Sequence, residues 1–367
     1  MKNINPQKSN SLTIDICKFL GAYMVVAIHT TPWNLFGTGA FNTVYLNFIY
    51  CAVPCFFMAS GYLLAGRMEW PLTAKDNLPK VAHAFFKMLK LYLLWSLAYL
   101  PLAIFDYRRS GFGVREAAIR YIKGLVFSGE HYGSWMLWDM ISAIYALGII
   151  YLLLKIKVNP WAITALGLVF ILCGAALDML SGTTNDISPA INFIRKLMWA
   201  TTGNGKVFRG LFYISFGMLL TKIKIPVWAD VLITLCGFAG CVAFNKYTGF
   251  FVILCAVGLF GIIISVKVPY VSDRKILRRA SMIIYFMHLY VYMILVLRFG
   301  LHSGKRAFLT VALITTAIAF AYIAICDLIK RKNAVKCKEK AYFCRKSVFL
   351  FDFDSIKVYY IKTVFTN

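Results

Sequence analysis

Residues 12–33 read LTIDICKFLGAYMVVAIHTTPW, an apolar run long enough to cross a bilayer that nevertheless carries Asp15, Lys18 and His29. Ionisable groups are unfavourable in hydrocarbon, so their spacing is informative. Lys18 and His29 are eleven residues apart. At about 100° per residue they fall within roughly 20° of one helical face, roughly 16 Å apart along the axis. One face therefore presents a cation and, about three turns further on, an imidazole. Two readings stand at this point. A lysine near a helix end commonly snorkels to the interface and a histidine on a helix face commonly packs and hydrogen-bonds; alternatively, intramembrane ionisable groups mark a functional site.

The surroundings set the class. The 367 residues are 60% hydrophobic and 15% charged, with a mean hydropathy of +0.70, more apolar than a water-facing domain. Apolar runs predict an all-α integral membrane protein with about ten transmembrane helices. They lie near 12–33, 44–65, 82–105, 135–154, 160–180, 208–222, 226–244, 249–267, 280–299 and 306–329, the sixth being short. Residues 1–330 are expected to form one transmembrane domain, and residues 331–367 a basic cytoplasmic tail to which no role is assigned. The first run is too long for a signal-peptide core and lacks a small-x-small cleavage pattern, so it is read as retained.

The net charge of +25 is distributed as topology, not as a nucleic-acid footprint. With a cytoplasmic N-terminus, the inner side collects Arg67, Lys75, Lys80, Lys155, Lys157, Lys222, Lys224, Lys267, Arg274, Lys275, Arg278, Arg279 and the basic tail, whereas residues 34–43 are uncharged. This positive-inside bias places both termini in the cytoplasm. Arg108, Arg109, Arg115, Arg120, Arg195 and Arg209 fall on the outer side, in longer loops that cross largely regardless of charge. The ten cysteines are scattered and form no C-x-x-C, so neither a disulfide frame nor a metal site is expected.

Along the chain, Pro54 lies inside the second span and Ser60-Gly61 permits close helix approach, as a packing seam or a cavity wall. Lys87 and Lys90 share a face at the cytoplasmic start of the third span, where they contact lipid headgroups or help Lys18 hold a polyanion. Residues 107–134 contain an amphipathic segment expected to lie on the outer surface. Trp135 and Trp138 match an interfacial aromatic belt, while Asp139 stands one turn into the span and is less easily assigned to packing. His288 is the other mid-span histidine; His83, His131 and His302 lie near membrane edges.

These residues resemble the acyltransferase 3 family of integral-membrane acyltransferases. Lys18 to His29, preceded by Asp15, is similar to its Arg/Lys-x10-His signature; Val53, Pro54, Phe56, Phe57, Ser60 and Gly61 to its V-P-x-F-F-x-x-S-G run; Trp135-Met136-Leu137 to its W-F-L; Tyr213 to Leu220 to its Y-x-x-x-G-M-L-L; and Tyr285 with His288 to its Y-x-x-H. Many members carry arginine where this chain has Lys18, which keeps the charge and loses the bidentate geometry. The chain is similar to stand-alone O-acetyltransferases and to the membrane half of serine racemases, without an expected attached hydrolase-like or racemase domain.

The resemblance implies transfer of an acyl group, expected to be acetyl, from cytoplasmic acyl-CoA to a hydroxyl of a cell-surface or lipid-linked saccharide. It implies His29 as catalytic base with His288 in reserve, Lys18, Lys87 and Lys90 on the phosphates of acyl-CoA, and Asp15, Ser60, Trp135 and Tyr285 in support. Acyl-CoA is then a cosubstrate, with no bound cofactor and no metal. The expected partners are acyl-CoA, the acceptor and membrane lipid; the acyl group, acceptor and oligomeric state stay open. A small-molecule transporter would show duplicated halves with broken helices, and no internal repeat is visible. A non-catalytic membrane sensor or anchor is the remaining alternative, and it would tolerate loss of His29.

Overall fold

A computed structural model describes residues 6–33, 39–129, 133–181, 188–202, 208–266, 268 and 274–339. The uncharged stretch at 34–38, His131, Lys267 and the tail beyond 339 lie outside the described residues, as do the side chains of Arg195, Arg274, Lys275 and 331–339. The described chain is helical: α1 Pro6–Thr30, α2 Ala40–Tyr50, α3 Ala52–Ala65, α4 Leu78–Arg109, α5 Val114–Lys123, α6 Trp138–Lys155, α7 Pro160–Ser181, α8 Pro189–Thr202, α9 Arg209–Leu219, α10 Val227–Ala243, α11 Thr248–Ser265, α12 Arg274–Phe299 and α13 Lys305–Glu339. No strand occurs among the described residues.

Seven stretches are long and apolar enough to cross a membrane by length and composition: 12–30, 40–65, 75–109, 135–155, 248–265, 276–299 and 305–330. Two further apolar helices, Pro160–Ala176 and Val227–Ala243, are shorter. The expected sixth span condenses to the 11 residues of α9, roughly 16 Å of helix against a hydrocarbon core of about 30 Å. Its length is explained by its place. Leu211, Ile214 and Leu219 are buried, and α9 packs against α3, α6 and α7, so protein rather than lipid covers most of it.

Pro54 decides the shape of the second span. A helical proline lacks the N–H that would bond the carbonyl four residues back, and its ring crowds that carbonyl. Here that carbonyl belongs to Tyr50, and α2 ends at Tyr50 while α3 begins at Ala52. Further along α3, Gly61 meets Gly217 of α9. A Cβ on Gly61 would overlap the Ile214 carbonyl, and one on Gly217 would overlap the Met58 carbonyl. Each glycine thus faces the backbone three residues before the other, a parallel crossing open only to residues without side chains.

The helices around the site alternate in direction. Lys18 of α1 and Arg278 of α12 line one cavity, and His29 and His288 meet further along the same helices, so α1 and α12 run parallel. α13 runs back along α1: the Gly304 N–H donates to the Thr30 carbonyl at 2.7 Å, and the Tyr23 and Thr316 hydroxyls hydrogen-bond at 2.7 Å. α5 is stapled by three tyrosine hydroxyls in its neighbourhood. Tyr121 donates to the Ser96 carbonyl at 2.9 Å, Tyr92 to Leu125 at 2.7 Å and Tyr145 to Val126 at 2.6 Å. No residue of α5 is buried. Apolar side chains such as Leu97, Leu235 and Leu313 are exposed, the inverse of a water-soluble surface.

Candidate functional site

Two features share the α1–α12 seam. The first is a cavity of about 370 Å³ whose lining includes Lys18 from α1, Arg67 just beyond α3, Lys87 from α4 and Arg278 and Arg279 from α12. Its walls are Phe56, Phe57, Ser60, Leu63, Met88, Leu91, Met140, Ala143, Met282, Tyr285 and Phe286, with Asp139 and Ser281 as further polar members. Arg279 also pairs with Asp327 of α13 at 3.0 Å. A cationic end continuing into an aromatic and aliphatic wall suits a ligand with a polyanionic head and an apolar arm.

The second feature is a ring stack. His29 and His288 lie with ring centroids 5.3 Å apart, and the Trp135 ring is 6.4 Å from His29 with an interplanar angle of 28°. His288 is 0% exposed, while His29 is half-buried. The Nδ1 of His288 lies 2.5 Å from the Tyr285 carbonyl oxygen. A carbonyl only accepts, so Nδ1 carries the proton and Nε2 is left as a lone pair. That Nε2 is buried with no hydrogen-bond partner.

The backbone of α12 is opened where this happens. The Tyr99 hydroxyl of α4 donates to the Phe286 carbonyl at 2.7 Å and accepts from the Tyr290 N–H at 3.1 Å. Those two groups are the normal i→i−4 partners of a helix, so a side chain stands in one rung of the ladder. Tyr99 itself is fully buried. Tyr285 forms the wall between cavity and histidines: its hydroxyl donates to the Met136 carbonyl at 3.1 Å, and its ring lies 5.8 Å from Phe56 and 6.1 Å from His288.

The positions expected from sequence divide accordingly. Lys18, Lys87, Ser60 and Tyr285 meet at the cavity; His29, His288 and Trp135 meet in the stack. Lys90 is exposed and absent from the cavity lining. Asp15 is buried one turn before Lys18. Ser60 spends its hydroxyl on the Phe56 carbonyl at 2.8 Å, which makes it a helix-face residue with a closed hydrogen bond. Sequence reasoning passed over Arg67 and Tyr99 as site residues and read Arg278 and Arg279 as topology alone. Their signal is spatial: Arg67 follows α3, Tyr99 belongs to α4, and Arg278 and Arg279 belong to α12, segments that only packing brings together. Among the described residues no group of three or more His, Cys, Asp or Glu is placed to hold a metal ion, and eight cysteines are free thiols.

The comparisons with known proteins agree with the motifs. An amino-acid racemase of Enterococcus faecalis is 25% identical over 224 residues, covering 60% of this chain and 31% of that protein. A second amino-acid racemase of that organism is 28% identical over 211 residues, covering 56% of this chain and 27% of that protein. A serine/alanine racemase of Enterococcus gallinarum is 28% identical over 209 residues, covering 57% and 29%. The chain thus aligns with less than a third of the length of these curated relatives. No solved structure matches it. The family model described as an acyltransferase domain matches residues 12–331, from the first residue of the Lys18–His29 span to the end of the apolar helices, and the chain belongs to that family.

Proposed function

We propose that this protein is an integral-membrane O-acyltransferase that moves an acyl group, acetyl in the simplest case, from cytoplasmic acyl-CoA to a hydroxyl of a cell-surface or lipid-linked saccharide. The observation that carries the reading is the alignment of two chemistries on one pair of parallel helices. The cations of the cavity at Lys18 and Arg278 lie about three turns from His29 and His288. The phosphates of acyl-CoA bind at the cations from the cytoplasmic side, and the arm runs between α3, α6 and α12 toward the imidazoles. In this reading the protein sits in a bacterial cytoplasmic membrane with cytoplasmic termini and ten crossings, the three shorter apolar helices adding to the seven long ones.

In the transfer step His29 takes the proton of the acceptor hydroxyl as the oxygen bonds to the thioester carbonyl carbon. The carbon–sulfur bond then breaks, and the proton passes from the imidazolium to the departing CoA sulfur. A neutral imidazole suits both roles. His288, with Nδ1 held by the Tyr285 carbonyl, turns an obligatory acceptor toward this place and orients it. The relatives' racemase names describe proteins more than three times as long as the stretches they share with this chain; the shared part corresponds here to a membrane acyltransferase unit, and racemisation is not proposed for it.

The test is direct. Purified protein in nanodiscs, given acetyl-CoA labelled in the acetyl group, is expected to bind it and to pass label to an envelope saccharide fraction. Binding without transfer to any envelope fraction would favour a sensor, and absence of binding would remove the reading altogether.

A further inference from the structure

Asp139 takes no part in the reaction just described, yet it stands in the cavity. It lies in the first turn of α6, is 8% exposed and lines the cavity with Met140 and Ala143. Its carboxyl group meets the Tyr285 hydroxyl, while its Oδ1 has no hydrogen-bond partner. A buried carboxylate oxygen without a donor is unfavourable and is retained where a ligand supplies one.

The depth of Asp139 is set by its neighbour. Tyr285 is seven residues beyond Arg278, about 10 Å of helix rise, and three residues short of His288, about 4.5 Å. A ligand that fills the cavity therefore needs anionic groups at one end, an apolar arm, and a hydrogen-bond donor about 4 to 5 Å before the histidines. Acyl-CoA has this order of groups. Its pantetheine arm carries an amide N–H separated from the sulfur by two methylenes, a comparable length.

We propose that Asp139 Oδ1 accepts the N–H of the thioester-proximal amide of the donor's pantetheine arm, and so sets how deeply the donor seats. Asp139 is then a donor-binding and positioning residue: it holds the arm in register so that the thioester reaches the histidines. The proposal rests on the acyl-CoA reading above.

Three probes separate the proposal from that reading: coenzyme A, adenosine 3′,5′-bisphosphate, which has phosphates but no arm, and a coenzyme A analogue in which that one amide is an ester. With the full chain in nanodiscs, the unsubstituted protein is expected to bind coenzyme A about 10- to 100-fold more tightly than the ester analogue, the range for losing a hydrogen bond to a charged group. Asp139→Leu should abolish this preference and leave the bisphosphate affinity unchanged. If the unsubstituted protein binds all three probes but does not prefer the amide, this proposal fails and the acyl-CoA reading stands, with no variant needed. If Asp139→Leu keeps the preference, the proposal also fails. If no probe binds, the acyl-CoA reading fails and takes the proposal with it.

Discussion

The rings of His29 and His288 lie 5.3 Å apart, although 259 positions separate them in sequence. α1 and α12 bring them to one level by running parallel, and the Tyr285 carbonyl fixes which nitrogen of His288 can accept a proton. In substitutions, His29→Ala is expected to reduce acetyl transfer by about 10² to 10⁴, the usual cost of removing a general base, with acetyl-CoA binding retained. His288→Ala should lower transfer as well, and the double variant should lose little more than His29→Ala, since the two act as a unit. A loss under tenfold for His29→Ala beside inactivation by His288→Ala would move the base to α12.

The cavity cations differ from Lys90 by position alone. Lys18→Met and Lys87→Met are expected to weaken acetyl-CoA binding by about tenfold or more each, the scale of a lost hydrogen bond to a charged group. Lys90→Met, on an exposed face outside the lining, should leave it within about twofold, as for most surface charges. Titrations at rising salt should weaken the unsubstituted protein more than the Lys18 variant, because partly exposed charges are screened. Equal effects at Lys87 and Lys90 would contradict the assignment.

Tyr99 offers a test of positioning apart from binding. Tyr99→Phe removes the hydroxyl from the ladder of α12 and lets the Phe286 carbonyl and Tyr290 N–H bond directly. The expected result is a lower kcat with unchanged acetyl-CoA affinity, since Tyr99 is not itself part of the cavity lining and its hydroxyl bonds only to the backbone of α12. Parallel loss of thermal stability and of donor binding would indicate a purely structural residue.

Gly61→Ala and Gly217→Ala each insert a methyl group into a backbone contact. Overpacking of this kind destabilises by about 1–3 kcal/mol, so the unfolding temperature in detergent should fall for both. The double variant should lose less than the sum, because either methyl alone already parts the two helices. Full additivity would mean that the glycines do not share one crossing.

The ten-crossing topology predicts that reporters at Thr38 and at Lys332 fall on opposite sides of the membrane, since an odd number of crossings lies between them. Activity of both reporters on the same side would overturn it.

Much of this protein is set by residues that are neighbours in sequence. Hydrophobic runs and the proline at position 54 define the helices because a backbone in lipid must bond to itself and Pro54 cannot. The Lys18–His29 face follows from helical periodicity alone, and the charge distribution argues the sidedness. The family was legible for the same reason: its motifs are short local patterns such as Val53 to Gly61 and Tyr285 to His288.

Tertiary structure decided what depends on two or more helices meeting. The tautomer of His288 is local, yet its partner ring comes from α1; the cations of the cavity come from four separate segments, and Lys90, three residues from Lys87, turns away from them. The burial of α9 was likewise invisible to hydropathy, because an apolar side chain reads the same whether it faces lipid or, as at Leu211 and Ile214, the interior of a bundle. Apolarity is a property of a residue, whereas burial, register and the direction of a free lone pair are properties of what packs against it.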